Sequence, residues 1–180
     1  MILGKRVRLR AIEEGDLPRF VAWLNDPEVI ENLVLRVPLS LAQETGWFEA
    51  MKKRPPEEHP MVIEINQPEG WKPIGNIGLH EIDWINRHTE LGIFIGEKQH
   101  WNQGYGRDAI RLVLRYGFQS LNLNRIYLRV FETNPRGIHS YENAGFKLEG
   151  RLREDIFLNG KYRDTLIMSV LRSEWQDVEV

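Results

Sequence analysis

Apolar residues recur along the chain with two different spacings, which separate helices from strands. Val7 to Arg10 alternates between apolar and basic residues, and Arg125 to Phe131 is also alternating in character, so both predict strands. The runs Met61–Ile65, Ile74–Ile82 and Thr89–Ile95 predict three more strands. From Arg107 to about Leu121 apolar residues return every three or four positions, which predicts a helix with one buried face: Ile110, Val113, Leu114, Gly117, Phe118 and Leu121.

Residues that favour a helix start predict four further helices. A side-chain oxygen that can cap a first turn precedes each of them, and proline follows two of these caps at the first helical position. The caps are Asp16, Asp26, Ser40 and Asn134, and the helices run to about Leu24, Leu33, Met51 and Gly145.

The last third of the chain predicts a hairpin. Phe146 to Phe157 and Arg163 to Leu171 read as strands, and Asn159-Gly160 between them is a strong turn signal. Three strands linked by short turns, followed by strands separated by helices, predict an α/β fold with a mixed sheet and helices on its faces. A chain of 180 residues fits a single domain, residues 1–180.

Composition excludes several classes of function. The chain has no cysteine, which rules out disulfides, thiolate metal sites and a cysteine nucleophile, and no metal-site spacing of histidines occurs. The net charge of −2 with interspersed signs gives no reason to expect nucleic acid. There is no apolar stretch near the roughly 20 residues that span a bilayer and no signal peptide, so we expect a cytoplasmic protein without membrane contact.

The segment Trp101 to Arg107, Trp-Asn-Gln-Gly-Tyr-Gly-Arg, connects a predicted strand to the most periodic helix. Its two glycines allow the backbone to approach a ligand, and the first helical turn offers unpaired N–H groups at the positive end of the helix dipole. The segment is therefore either a phosphate-binding loop or an ordinary strand-to-helix turn.

Three segments together carry a family resemblance: Trp101 to Gly106, Asn134 with Tyr141-Glu142-Asn143-Ala144-Gly145-Phe146, and Phe157 to Asp164. In these segments the chain resembles the GCN5-related N-acetyltransferase (GNAT) superfamily, in the branch of ribosomal-protein N-terminal acetyltransferases and spermidine acetyltransferases. The resemblance extends over essentially the full chain. Trp101 stands where the acyl-CoA loop of the family usually has Gln or Arg, although the ribosomal type often carries Trp there.

The resemblance implies a GNAT fold, a mostly antiparallel sheet with a splayed parallel strand pair, and acetyl-CoA as co-substrate. The pantetheine arm of acetyl-CoA would pair with the backbone near Phe94 and Ile95. Asn134 would be a helix cap and could also contact acetyl-CoA, and Arg107, Arg111 or Arg136 would supply charge or remain solvated. The pyrophosphate would lie on the amides of Gln103, Gly104, Tyr105, Gly106 and Arg107.

The resemblance also implies two catalytic residues for direct acetyl transfer to an amine. Tyr141 matches the helix tyrosine that donates to the departing thiolate, and its alternative is a core tyrosine. A tyrosine with a reference pKa of about 10 is protonated at neutral pH. Glu90 is the first candidate for the base, and its alternative is a buried ion-pair partner. The rival bases are His80, Glu81 and Asp83.

The acceptor should be selected by residues 25–51 and by the hairpin after Asn159. Spermidine acetyltransferases use a carboxylate-rich patch in their early helices, whereas Val34 to Pro38 is apolar here with one positive charge, Arg36. This difference argues against a polyamine and favours a protein N-terminus. The alternatives are another small-molecule amine, such as an amino sugar or an antibiotic, and a non-catalytic acyl-CoA-binding sensor.

Oligomeric state stays open. Trp84 and Trp175 mark either a subunit contact or the core, and the final hairpin offers an edge through which a homodimer could form.

Overall fold

The computed structural model describes residues 1–178, whose strands form an eight-stranded sheet. The strands are β1 Ile2–Leu3, β2 Val7–Ala11, β3 Met61–Gln67, β4 Gly70–Asp83, β5 His88–Ile95, β6 Arg125–Phe131, β7 Lys147–Leu158 and β8 Lys161–Leu171. The helices are α1 Leu17–Leu24, α2 Pro27–Ile30, α3 Leu41–Met51, α4 Tyr105–Arg115 and α5 Pro135–Asn143.

The sheet is mixed, as expected, with the order β1-β2-β3-β4-β5-β6-β8-β7. All neighbouring strands are antiparallel except β5 and β6, which run parallel. Their pairing ends at Glu90 and Tyr127, so residues 91–95 continue without a partner strand on that side. The predicted splayed parallel pair is therefore confirmed, and the gap between β5 and β6 opens toward the carboxyl ends of both strands.

Two apolar layers cover the two faces of the sheet. The larger layer packs α4 against β2 to β6 and β8, and contains Ile110, Leu112, Val113, Leu114 and Phe118, each 1% exposed or less. The smaller layer lies under α1 and α3 and includes Leu17, Phe20, Trp23, Phe48 and Met51. Burial of apolar area on both faces therefore holds the strands that frame the gap.

Three of the four predicted caps are confirmed, and Asp16 is not. The Asp16 carboxylate accepts two hydrogen bonds from Arg10, at 2.7 and 2.8 Å, and one from the Glu13 amide at 2.9 Å. The caps of α2, α3 and α5 accept from Glu28, Gln43 and Gly137 respectively. The Asp16 carboxylate therefore binds Arg10 of β2 through charge-assisted hydrogen bonds, and it does not cap α1 as the local pattern predicted.

Element ends differ from the pattern where backbone conformation decides them. The helix α4 begins at Tyr105, two residues earlier than expected, because Gly104 adopts φ 82° and starts the first turn. It gives way after Arg115 to a π turn over Tyr116–Ser120, and α2 ends at Ile30. Strand β1 was not predicted, because its two residues are too few to show an alternating pattern.

The two tryptophans separate into core and surface. Trp175 packs against Phe118 at a ring distance of 5.4 Å, whereas Trp84 is 50% exposed in the β4–β5 connection. Within residues 1–178 there is no helix with the length and apolar character needed to cross a membrane.

Candidate active site

A cavity of about 1060 Å³ lies where β5 and β6 separate. It runs from the glycine-bearing loop, past the inner side of α5, to the β7–β8 hairpin. All the residues predicted for the site line it: Glu90, Phe94, Ile95, Gln103, Gly104, Tyr105, Gly106, Arg107, Asn134 and Tyr141. The fold thus brings together residues that are more than 50 positions apart in the sequence.

The loop before α4 presents backbone to the cavity. Gly104 is the N-cap of α4 with a left-handed φ of 82°, a conformation that costs an L side chain about 1–2 kcal/mol. A Cβ placed on Gly104 would lie 3.2 Å from Arg107 Nη2 and 3.3 Å from Arg6 Nη2. The first turn of α4 has no side-chain cap and lines this end of the cavity, so its amides are available as donors for an anion.

A partly buried ion pair holds this loop on the sheet. Asp108, with a side chain 6% exposed, pairs with Arg6 from the β1–β2 connection. Arg6 also lies 5.0 Å from the centroid of the Tyr105 ring. No local pattern indicates this contact, because 102 positions separate the two residues.

Two of the three candidate arginines line the cavity. Arg107 Nε is buried without a hydrogen-bond partner among residues 1–178, although Asp108 Oδ1 lies 3.5 Å away at ion-pair distance. Arg136 stacks on the Trp101 ring at 3.7 Å, and burial lowers its pKa. Arg111 lies outside the cavity wall and donates to the Asn143 carbonyl at 3.0 Å. Arg107 and Arg136 are therefore the two that can meet phosphate oxygens.

Trp101 has a structural task that accounts for its place in the loop. Its indole Nε1 donates to the Ile95 carbonyl at 2.9 Å, which ties the loop to the end of β5. This bond uses one lone pair of a carbonyl at the strand end that was expected to hold a pantetheine arm, and leaves the second lone pair.

Tyr141 lies on α5 and lines the cavity with its ring 6.0 Å from Phe146. Burial raises the pKa of its hydroxyl to about 12. The phenol is accordingly a neutral donor throughout the physiological range. It also packs against the main core, which is the alternative interpretation of Tyr141, and its catalytic role stays a prediction.

Glu90 ends the paired part of β5 and lines the cavity, with its side chain 25% exposed. Its carboxylate lies 3.5 Å from Arg129 Nη2. His80, its register partner on β4, lies over Gly92: a Cβ on Gly92 would approach His80 Nε2 to 2.8 Å. Burial is the main cause that lowers the pKa of His80, so its ring is neutral at pH 7.

The remaining candidate bases are directed elsewhere. Asp83 accepts from the Ile85 and Asn86 amides at 2.9 and 2.7 Å, and these bonds help to lower its pKa. Glu81 is exposed at a bulge with φ 52°. Of the four candidates only Glu90 lines the cavity.

Asn134 is a helix cap, as predicted. Its Oδ1 accepts from the Gly137 amide at 2.9 Å, and its side chain lines the cavity. The cap oxygen is thus engaged by the first turn of α5, and a contact between Asn134 and acetyl-CoA stays a prediction.

The far end of the cavity is formed by α2, the segment after it and the β7–β8 hairpin. Arg36 donates to the Phe157 carbonyl and so joins these two parts of the wall. Asp155 also lines this end, is exposed, and forms no ion pair with the described residues. No group of three or more metal-ligating side chains occurs within residues 1–178.

Comparison with known proteins gives consistent matches. Residues 6–147 match the acetyltransferase (GNAT) domain model. The spermidine N(1)-acetyltransferase of Vibrio cholerae serotype O1 is 35% identical over 173 residues, 96% of this chain and 97% of that protein. A putative ribosomal N-acetyltransferase of Bacillus subtilis is 33% identical over 102 residues, 57% of this chain and 55% of that protein.

Solved structures agree with these matches. The crystal structure of spermidine N-acetyltransferase from Vibrio cholerae in complex with CoA and spermine superposes with a TM-score of 0.85 at 33% identity. The match covers 94% of this chain and 97% of that one.

Proposed function

The chain belongs to the acetyltransferase (GNAT) family, and we propose that it acetylates a small-molecule primary amine, with spermidine and spermine as the first acceptors to test. It is an N-acetyltransferase that uses acetyl-CoA as co-substrate. This corrects the preference for a protein N-terminus, because the relative that is matched over 97% of its length is a spermidine N(1)-acetyltransferase. The whole chain would act as one catalytic domain.

The observation that carries the proposal is the unpaired carboxylate at the acceptor end of the cavity. Asp155 lines that end without an ion pair among the described residues, and Glu90 lines the same cavity nearer to the centre. Two carboxylates along one path suit an acceptor that carries more than one nitrogen: Asp155 offers an unpaired charge to a distant ammonium group, and Glu90, whose charge is shared with Arg129, lies nearer to the reacting amine.

Arg36 was the reason to doubt a polyamine, and its contact changes that judgement. The guanidinium donates to the Phe157 carbonyl, so it fixes the segment after α2 against the last hairpin. This structural contact explains why an arginine is present, so its positive charge no longer implies an anionic acceptor.

For acetyl-CoA, the residues divide by the part of the molecule that each would meet. The amides of residues 103–107 would hold the pyrophosphate, and Arg107 and Arg136 would balance its charge. The unpaired stretch of β5 at Phe94 and Ile95 would pair with the pantetheine amides as a missing strand does. The unpartnered Arg107 Nε fits such an anion.

For the chemistry, Glu90 would take the proton of the attacking amine, directly or through water. The amine nitrogen then bonds to the thioester carbonyl carbon while the carbon–sulfur bond breaks. The neutral Tyr141 hydroxyl would donate to the sulfur as negative charge develops there. Direct transfer requires no covalent enzyme intermediate, in keeping with a chain that has no cysteine.

The test is a thiol-release assay over spermidine, spermine, amino sugars and N-terminal peptides, repeated with Asp155→Asn. We expect turnover with the polyamines, and a higher KM for spermidine in Asp155→Asn with an unchanged KM for a monoamine. Turnover confined to peptides would contradict the proposed acceptor and restore the protein N-terminus.

A further inference from the structure

A buried threonine on β8 belongs to the cavity wall, and its hydroxyl has no hydrogen-bond partner among the described residues. Thr165 is 2% exposed, lines the cavity, and its Oγ1 makes no hydrogen bond to any residue from 1 to 178. Buried hydroxyls are normally hydrogen-bonded, and leaving one unpaired costs free energy. The missing partner is therefore expected from whatever fills the cavity.

The sheet register places Thr165 on the acceptor side. Phe131 of β6 lies opposite Thr165, and Arg129 precedes Phe131 by two positions, so all three side chains point to one face of the sheet. Arg129 reaches Glu90 at 3.5 Å across the gap, so this face is the one that Glu90 occupies. Thr165 thus lies in the wall between the proposed base and the hairpin.

The opposite face carries the apolar layer that supports α4. Val130 and Leu166, the neighbours of Phe131 and Thr165 on the same two strands, both belong to that layer. A hydroxyl on their face would contact only apolar side chains. The position of Thr165 therefore separates it from the core and directs it to the ligand.

We propose that Thr165 is a specificity-determining residue whose Oγ1 accepts a hydrogen bond from an N–H group of the acceptor amine. This inference rests on the proposed function. A threonine hydroxyl can accept a hydrogen bond from an amine but cannot neutralise its charge. It would therefore orient the acceptor, whereas Glu90 and Asp155 supply opposite charge. The bond holds the acceptor nitrogen chain along β6 and β8 while the reacting amine faces the thioester.

The test compares Thr165→Val with Thr165→Ser, using spermidine as acceptor. Valine has the same shape without the hydroxyl, and we expect about a tenfold higher KM for spermidine, with kcat changed by less than about threefold. The Kd of acetyl-CoA should stay unchanged. Serine keeps the hydroxyl and should keep the wild-type KM.

Thermal unfolding separates a ligand contact from a structural one. If Thr165 serves the ligand, Thr165→Val unfolds at the same temperature as wild type or higher, because an unpaired buried hydroxyl has been removed. Ser169→Ala is the matched control: Ser169 lies on the same strand, is buried, and donates to Glu149 at 2.6 Å outside the cavity. That variant should lose stability and keep its KM.

The possible failures are distinguishable. An unchanged KM in Thr165→Val, with active wild type, overturns the role of Thr165 and leaves the proposed function standing. A lower unfolding temperature with unchanged KM identifies a purely structural residue. Wild-type enzyme that turns over no small amine contradicts the proposed function and this inference with it.

Discussion

Replacement of Tyr141 by phenylalanine removes one hydroxyl from the centre of the cavity and keeps the ring that packs against Phe146. Burial raises the pKa of this hydroxyl to about 12, so the phenol is protonated at pH 7.5. The hydroxyl is thus available as a donor in almost every enzyme molecule. Removing a general acid costs about 100-fold or more in rate, equivalent to about 2.7 kcal/mol in the activation barrier.

The assay is steady-state thiol release with saturating amine and acetyl-CoA, together with calorimetric titration of acetyl-CoA. We expect a fall in kcat and an unchanged Kd, since the hydroxyl acts on charge that develops only as the thiolate leaves. Tyr116→Phe is the matched control: burial raises the pKa of Tyr116 too, but this residue lies outside the cavity. A kcat for Tyr141→Phe within about threefold of wild type would refute the assigned role.

Three further predictions follow from the geometry of the site. Gly104→Val should weaken acetyl-CoA binding in calorimetry and lower the free energy of unfolding by about 1–2 kcal/mol, because Gly104 has φ 82°. Gly150→Val is the control: a Cβ there meets open space, so neither quantity should change. Glu90→Gln should lower kcat at pH 7, with a deficit that narrows toward pH 9.5 as free amine becomes available; a constant deficit would exclude Glu90 as base. Burial lowers the pKa of His80, so the unfolded chain takes up a proton first as pH falls through 6.5, and wild type loses folding free energy. The His80→Gln variant should lose less over the same pH range in denaturant titrations. Equal losses would contradict this.

Local chemistry made part of this fold predictable. The Asn134-Pro135 start of α5, the Asn159-Gly160 turn and the periodic face of α4 each depend on neighbouring residues, and the structure has all three. Part of the cavity wall was also predictable, because the glycine-bearing loop follows β5 and the helix that carries Tyr141 follows β6, the two strands that separate.

Long-range contacts were beyond the reach of local patterns. Asp16 bonds to Arg10 rather than to its own helix, and Asp108 takes a partner 102 positions away. The contacts at the acceptor end of the cavity could not be predicted for the same reason. Arg36 was interpreted by its charge, because nothing in the sequence indicates that the Phe157 carbonyl is its partner. Thr165 is an ordinary strand threonine until the register shows which face it occupies.

The decisive experiment compares kcat/KM for spermidine with kcat/KM for N-terminal peptides, by thiol release from acetyl-CoA. We expect the polyamine to be turned over with the higher kcat/KM, and the Tyr141→Phe enzyme to bind acetyl-CoA but react slowly. Higher kcat/KM with peptides would contradict the proposed acceptor, and the absence of acetyl-CoA binding would contradict the function as a whole.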